Sequence, residues 1–400
     1  MPLDIKKAVS ALRLNFFVMG VLLGGWAARI PEMKSALKMS DGTFGRALIG
    51  AAIGSLFSSR VIGRLIRELG TKKVFYMGTV IFPVGYLTVA FAHNALFIFI
   101  GITFFCMGYL FLDNPLTIIT QDLEAKADRK YLSGFHGFWS MGTLCAAFVG
   151  SFLIGRVRYS IHLSALAIIA FIILVMSARR LEDHKVHAET SSKVPLPWKG
   201  NTAFIVLVVG CGMLFAQGAE FGATDWSGLF LRDVLSITGQ FYVGAYIAFE
   251  AGMILSRMKG DRYIHKFGAE LVVRLCGYAG SVLWLISMLI GVHIHGSHKI
   301  LGYIVILIGY FFAGMGVGPL FPGFITILGS VPGIDMGVAL SRAFLIAIAG
   351  FAVVPAAIGA ISDLTSLQTG MLLPIVLLAA AGLLSRIARK VPQGEVAEMV

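Results

Sequence analysis

The chain has 400 residues, of which 57% are hydrophobic and only 14% are charged. A water-soluble protein of this length would have much more polar surface, whereas here apolar stretches of about 20 residues, the length of helix that crosses a bilayer, recur along nearly the whole sequence. The formal net charge of +12 does not indicate a nucleic-acid partner, because the basic residues stand in short breaks between apolar stretches and are not interleaved with aromatic residues.

Taken in chain order, the apolar stretches predict an all-α membrane protein with twelve transmembrane helices. Their expected ranges are 9–30, 42–62, 73–92, 95–119, 133–155, 159–179, 201–222, 238–258, 270–293, 299–325, 336–360 and 369–388. The one long polar break has the composition of a surface linker. We therefore expect a six-helix bundle over 1–180, a cytoplasmic linker over 181–200 and a second, pseudo-symmetric six-helix bundle over 201–400.

Lysine and arginine are concentrated in the loops that follow the even-numbered helices. Because basic loops remain on the cytoplasmic side during insertion, both termini are expected in the cytoplasm. Lys6, Lys7 and Arg13 precede an apolar stretch that is too long for the core of a cleavable signal, so the first helix is expected to remain as an anchor. These features predict a multi-pass protein of the bacterial inner membrane.

The sequence indicates neither a disulfide framework nor a metal centre. The four cysteines stand in apolar stretches without a CxxC pair, as small core residues do. His293, His295 and His298 are close together, but no Cys, Asp or Glu stands nearby to complete a metal site, which favours a solvated loop. There is also no GxxxxGK[ST] loop and no HExxH motif, so we expect no cofactor, no metal and no enzyme.

The two halves of the chain carry matching loops. One leads from the second to the third predicted helix, and the other leads from the eighth to the ninth, about half the chain later. The residues of this predicted gating loop are Gly63, Gly70, Lys72 and Lys73 in the first half and Gly260, Asp261, Arg262 and Gly268 in the second. Two six-helix halves related in this way are typical of transporters, with the solute bound between the halves near the membrane midplane.

The first of these loops resembles the G-x3-D-R-x-G-R-R/K signature of the major facilitator superfamily. Gly63, Gly70 and Lys72 are in register with it, and Lys73 follows directly. The loop departs from the signature at its centre, where Arg67 replaces the aspartate that docks the loop in the family.

Three further segments resemble the YbjJ-like branch of that superfamily, which is related to the fucose permeases. They are GWAARIP at 25–31, HGFWSMGTL at 136–144, and Glu220 followed by the DW pair at 225–226. The resemblance covers essentially the whole chain. Because those permeases are sugar:proton symporters, it implies the major facilitator fold, alternating access and a solute coupled to protons.

The resemblance also assigns one acid. In the permeases a carboxylate of the fourth helix couples protons to sugar, and Asp113 matches that position, with Thr117 one turn later. The permeases use a second carboxylate in the first helix, where the polar residue of this chain is Asn15.

Ionisable residues inside membrane helices are costly, so each is a functional candidate. The candidates for proton coupling are Asp113, Glu220, Glu250 and His136. A role other than proton coupling remains open for three of these candidates. Asp113 could form a structural ion pair with Arg274 or Arg342, Glu250 must face a cavity or a basic partner, and His136 could be a structural histidine near a helix end.

Further polar and aromatic residues are candidates for lining the solute cavity. They are Asn15, Trp26, Asn114, Thr117, Trp139, Ser140, Gln217, Arg274 and Arg342. Arg29 and Arg46 are instead expected to extend toward the membrane interface. Asp225 and Trp226 are expected at the interface as well, with the indole in the aromatic belt.

The function favoured by these features is proton-coupled symport of a small polar solute resembling a sugar or polyol. An exporter of amphipathic compounds or organic anions by proton antiport is the alternative. A receptor or scaffold is a third hypothesis, but the loops are short and offer no domain for a signalling output. The expected partners are a small-molecule solute, protons and the lipid bilayer, with no nucleic acid, and the protein is expected to be a monomer.

Overall fold

The computed structural model describes residues 3–127, 131–183, 200–331 and 336–389, and all regular structure in these ranges is helical. The helices before the central break are α1 (Leu3–Ala36), α2 (Asp41–Leu48), α3 (Gly50–Leu69), α4 (Thr71–Ala90), α5 (Ala95–Ala127), α6 (Leu132–Phe152) and α7 (Tyr159–Ala178). Those after it are α8 (Asn201–Asp233), a 3₁₀ turn (Gly239–Val243), α9 (Gly244–Phe267), α10 (Ala269–His295), α11 (Lys299–Val317), α12 (Leu320–Gly329), α13 (Met336–Leu364), α14 (Leu367–Gly370) and α15 (Leu372–Arg389).

Ten segments of the described chain are long and apolar enough to cross a membrane, with α2 and α3, α11 and α12, and α14 and α15 each forming one segment. The two other segments, α6 and α9, contain 21 and 24 residues, which is also sufficient to span the hydrocarbon core. The structure therefore confirms the predicted all-α membrane fold with twelve transmembrane helices.

Several helices are longer than their apolar pattern predicts. Helices α5 and α8 each contain 33 residues, a length of about 50 Å against a hydrocarbon core of about 30 Å. A helix satisfies its own backbone hydrogen bonds, so it can continue past the apolar stretch that identifies it in the sequence. As a result Asp225 and Trp226 lie inside α8, and Arg257 lies inside α9.

The described residues divide into two compact units. The N-terminal unit comprises Met1–Ser191 with Thr238–Val243, and the C-terminal unit comprises Ser192–Ile237 with Gly244–Val400. The predicted linker over 181–200 lies mostly outside the described residues, so its boundaries stay a prediction.

Helix packing in one unit repeats the packing in the other. In the N-terminal unit α1 packs against α6 and α7, α4 packs against α5 and α7, and α3 packs against α5. In the C-terminal unit α8 packs against α13 and α15, α10 packs against α11 and α15, and α9 packs against α11. Because equivalent helices make equivalent pairs, the two units are structural repeats of each other.

The repeat extends to individual glycines. Gly70 and Gly268, which precede α4 and α10, share a backbone conformation that side chains rarely adopt, with φ of 89° and 82°. Gly252 stands as far before Gly268 as Gly54 stands before Gly70, and each lies where its helix touches a neighbour. A Cβ atom at Gly54 would lie 2.2 Å from the carbonyl oxygen of Thr103, and one at Gly252 would lie 2.0 Å from that of Phe311.

Replacement of Gly252 by alanine should therefore force α9 and α11 apart. We expect the substitution Gly252→Ala to lower the free energy of unfolding by about 1–3 kcal/mol, the usual cost of overpacking, as measured by denaturant titration in mixed micelles. Gly134→Ala is the matched control, because a Cβ atom at Gly134 meets nothing within 4 Å. Equal stability of the two variants would contradict the close-contact account.

Candidate functional site

The N-terminal unit carries one acid in the interior of α5. Asp113 is partly exposed, but its Oδ1 is buried and has no hydrogen-bond partner among the described residues. Its neighbour Asn114 donates from Nδ2 to the carbonyl oxygen of Leu110 at 3.0 Å. Helix α5 continues through Pro115, so Thr117 remains on the same face as Asp113, one turn later. The structure thus keeps three predicted site residues on one stretch of helix.

The C-terminal unit carries an ion pair between α8 and α9. Nη2 of Arg257 donates to both carboxylate oxygens of Glu220, at 3.3 and 3.4 Å. Glu220 and Arg257 lie at the same depth, because each stands the same number of residues from the connection that joins α8 to α9. Gln217, one turn before Glu220, has a buried Oε1 without a hydrogen-bond partner among the described residues.

Arg257 is a site residue that the apolar pattern misses. The predicted helix over 238–258 ends beside it and assigns it to a basic loop, whereas α9 continues to Phe267. A signal was present in the sequence: Glu220 and Arg257 are opposite charges at matching distances from one loop.

Glu250 lies on the same helix as Arg257 and is more deeply buried. Its side chain is only 1% exposed, and its Oε2 has no hydrogen-bond partner within the described part of the chain. Glu250 interacts electrostatically with Glu220, with Arg257 and with Tyr246, which stands one turn earlier on α9. Two carboxyl groups therefore lie within electrostatic range of one guanidinium group, which is hydrogen-bonded to Glu220.

The other predicted cations of the C-terminal unit lie on different helices. Nη1 of Arg274 lies 3.4 Å from Oε1 of Glu270, one turn earlier on α10. Arg342 is half-buried in α13. Arg274 thus has an acidic partner on its own helix.

The predicted residues of α1 and α6 differ in their surroundings. Asn15 is fully buried, and its side-chain amide is hydrogen-bonded within the N-terminal unit. Its Nδ2 donates to the carbonyl oxygen of Ala11, and its Oδ1 accepts from the Ser177 hydroxyl on α7. His136 is exposed and packs edge-on against Phe16 at 5.2 Å between ring centroids. These contacts make Asn15 a packing residue that joins α1 to α7.

Trp26 and Trp139 are predicted to line the solute cavity, and both are buried. Trp139 is 8% exposed, and its Nε1 lacks a hydrogen-bond partner among the described residues. Ser140 and Trp26 are buried as well, at 2% and 4% exposure. Trp226 is 0% exposed, so the expectation that its indole belongs to a lipid-facing aromatic belt is wrong. Helix α8 continues past it, and the indole packs inside the unit.

The expectation for Arg29 is also wrong. Its side chain is 0% exposed, so it lies inside the protein and does not extend to lipid or water. The guanidinium pairs with Glu32, donates from Nε to Nδ1 of His162 at 3.1 Å, and donates from Nη2 to the carbonyl oxygen of Val157 at 2.8 Å. Arg29 thereby joins α1 to α7 and to the turn after α6. Arg46, by contrast, is exposed.

The loop between α3 and α4 receives a carboxylate from elsewhere in the N-terminal unit. Arg67 stands where the resemblance predicts an aspartate, but Oδ1 of Asp183 accepts a hydrogen bond from the backbone N–H of Lys72 at 3.0 Å. Nζ of Lys72 also donates to the carbonyl oxygen of Arg179 at 3.4 Å. The start of α4 is therefore tied to the chain that follows α7, a contact that the loop signature does not predict.

The remaining residues of the predicted gating loop occupy helix ends. Gly63 lies in α3 and Lys73 in the first turn of α4, where Lys73 is exposed. Gly260 is buried and Arg262 exposed in α9, while the side chain of Asp261 lies outside the described part of the structure. His295, from the histidine-rich stretch, contacts the carbonyl oxygens of Lys299 and Leu235 through its two ring nitrogens, at 2.9 Å each.

Comparison with known protein families shows which family this chain belongs to. The model of the Major Facilitator Superfamily matches residues 14–333. The chain belongs to this superfamily. It is therefore a membrane transporter of the major facilitator type.

Curated members of the superfamily are similar over most of the chain. An uncharacterised MFS-type transporter of Yersinia pestis is 25% identical over 91% of this chain and 91% of its own length. The membrane protein MosC of Rhizobium meliloti is 24% identical over 92% of this chain and 86% of its own. An uncharacterised transporter, y4wD, of Sinorhizobium fredii is 24% identical over 74% of this chain and 77% of its own.

Solved structures share the fold at low identity. A mutant of the nucleoside transporter NupG matches with a TM-score of 0.73 and 14% identity, covering 96% of this chain and 99% of NupG. A bacterial homologue of the human lysosomal transporter Spinster, inward-facing and unoccupied, matches with a TM-score of 0.66 and 12% identity, covering 97% of each chain. At this identity the likeness shows the major facilitator fold.

Loss of the Arg29 guanidinium should destabilise the N-terminal unit. In Arg29→Met the acid Glu32 and the acceptors on α7 and the turn after α6 would lose their partner, and we expect about 3–5 kcal/mol lower stability. The same mixed-micelle titration of Arg46→Met, at an exposed arginine, should change stability by less than about 0.5 kcal/mol. A stability of Arg29→Met equal to that of the control would show that the buried contacts contribute nothing.

Proposed function

We propose that this transporter couples the uptake of a small polyhydroxylated solute, such as a sugar or polyol, to protons by alternating access. The observation that carries the proposal is a set of buried hydrogen-bonding atoms in helix interiors that have no partner in the described structure. Several buried side chains have such atoms, and those that belong to predicted site residues are Oδ1 of Asp113, Nε1 of Trp139, Oε1 of Gln217 and Oε2 of Glu250.

These atoms are mainly acceptors, and hydroxyl groups are their natural partners. An unsatisfied polar group inside a membrane costs free energy, so such groups mark functional positions. Within the N-terminal unit, a solute rich in hydroxyls can donate to Asp113 and accept from the Trp139 indole. The resemblance to the YbjJ-like branch and its related fucose permeases supports the same class of solute. NupG, which shares the fold, is a transporter of nucleosides, and every nucleoside contains a sugar.

Proton coupling is proposed from the acids. Asp113 is the position that matches the coupling acid of the permeases, and Glu220 and Glu250 add two carboxyl groups in the C-terminal unit. His136 is the remaining candidate. Because Asn15 stands in place of the helix 1 acid and is satisfied by Ser177, the scheme assigns the N-terminal unit one coupling acid only.

The proposed setting is the bacterial inner membrane, with both termini in the cytoplasm and the protein acting as a monomer. The distribution of basic loops supports this orientation. The loop between α3 and α4 would then face the cytoplasm, with Asp183 holding the start of α4. The units 1–180 and 201–400, joined by the linker over 181–200, are the proposed moving bodies.

A ligand screen of the detergent-purified protein tests the solute class. Sugars, polyols, organic acids and amphipathic drugs would be added at two pH values, and melting temperature measured. A ligand that binds the folded state raises the melting temperature by mass action, so we expect a pH-sensitive rise with a sugar or polyol. A rise with amphipathic compounds alone would instead support an exporter.

The variant Asp113→Asn tests the coupling. It keeps the shape of the side chain and removes the exchangeable proton, so uptake driven by a proton gradient into vesicles should fall at least about tenfold, which corresponds to about 1.4 kcal/mol. Asp122→Asn is the matched control on the same helix, because Asp122 pairs with Lys126 at the exposed end of α5. Full proton-driven uptake by Asp113→Asn would remove Asp113 from coupling.

A further inference from the structure

The acids and the arginine between α8 and α9 form an unbalanced group of charges. We call Glu220, Glu250 and Arg257 the α8–α9 charge cluster. When both carboxyl groups are ionised, the cluster carries one negative charge in excess. Such an excess is costly inside a membrane unless a proton or another cation removes it.

The geometry shows which acid holds the arginine. Both oxygens of Glu220 accept from Nη2 of Arg257, at 3.3 and 3.4 Å. Glu250 is 1% exposed, and its Oε2 has no hydrogen-bond partner among the described residues. The arrangement shown is therefore one in which Arg257 neutralises Glu220 and leaves Glu250 without a counter-charge of its own.

Arg257 is placed so that it can serve either acid. It stands two helical turns after Glu250 on the same face of α9, and Glu220 lies on the neighbouring helix. Glu250 interacts electrostatically with both Glu220 and Arg257. A change of charge on one acid is thus felt directly by the pair.

We propose that Glu250 carries a coupled proton in the C-terminal unit, in addition to Asp113 in the N-terminal unit, and that Arg257 is the positioning residue of Glu250. While Glu250 is protonated, Arg257 pairs with Glu220, as in the structure. When Glu250 releases its proton, the guanidinium moves toward the new carboxylate and is shared between the two acids. This inference rests on the proposed proton coupling and assigns the coupling acid of the C-terminal unit.

The proton step makes and breaks a single O–H bond. One proton adds to a carboxylate oxygen of Glu250 on one side of the membrane and leaves the same group on the other side. No bond other than that O–H bond forms or breaks. The net charge of the cluster alternates between zero and minus one.

Other titratable groups stand on α9 and on the helices that contact it. Tyr246 on α9 interacts electrostatically with Glu250, Glu220 and Asp225, so Asp225 on α8 lies near Tyr246. The helices that pack against α9 on its other sides carry Glu270, Arg274, Cys276, Tyr278, His293 and His295 on α10, and Lys299, Tyr303 and Tyr310 on α11. Of these, Glu270 and Arg274 pair with each other.

Infrared titration of the purified protein tests the assignment without a solute. The probe is the proton itself, and the readout is the carboxylic C=O band as a function of pH. We expect Glu250→Gln to abolish a titrating band that the wild-type protein shows. Glu270→Gln is the matched control, a carboxylate paired with an arginine in the same unit, and should retain that band.

The role of Arg257 has its own readout. Arg257→Gln and Glu220→Gln should each move the midpoint of the Glu250 band by more than about one pH unit, whereas Arg257→Lys should restore it. A purely structural arginine would change protein stability and leave the midpoint in place, which would overturn the positioning role.

Clear outcomes would overturn the proposal. An unchanged titrating band in Glu250→Gln assigns the proton elsewhere. If that variant does not fold, Glu250→Asp must shift the frequency of the band and Glu220→Asp must not; the reverse result refutes the assignment. Because no solute is used, failure here leaves the proposed solute class standing, and failure of the ligand screen leaves the proton assignment standing.

Discussion

Hydrocarbon offers no hydrogen-bond partner, so each polar group on a membrane helix must find its partner within the protein or in a bound solute. Arg29 shows the first solution: Glu32, His162 and the turn after α6 satisfy its guanidinium and fix α1 against α7. Asp113 and Glu250 show the second, because each keeps a buried oxygen without a partner among the described residues. This difference separates the groups that hold the fold from those that we propose to act in transport.

Close contact between helices fixes the positions of these polar groups. Gly54 on α3 and Gly252 on α9 let equivalent helix pairs approach until a Cβ atom would meet a backbone oxygen. Helices held this closely gain dispersion energy that lipid does not replace. The rigid pairs in each unit then present Asp113 on α5 and the α8–α9 charge cluster at fixed positions. The same packing in both units explains why the loops before α4 and α10 share a glycine conformation.

The sequence predicts the fold well because apolar stretches of spanning length are a strong signal. Its misses have two causes. Apart from Glu32, which stands three residues later, the partners of Arg29 lie more than a hundred positions away in the chain, and no local pattern shows them. Arg257 and Trp226 fall at or beyond the ends of their predicted helices because the apolar pattern stops there, whereas α8 and α9 continue past them. Acids inside apolar stretches, such as Glu250, are visible as candidates; whether a cation neutralises them depends on tertiary contacts.

Proton movement during solute entry tests the central claim most directly. The protein would be reconstituted into vesicles with a pH dye outside, and each sugar or polyol of the panel added without an imposed gradient. The account predicts that the external pH rises as the transported solute enters, because each solute molecule brings a proton with it. Entry of a labelled solute without a pH change, or proton flow in the opposite direction with an amphipathic compound, would contradict it.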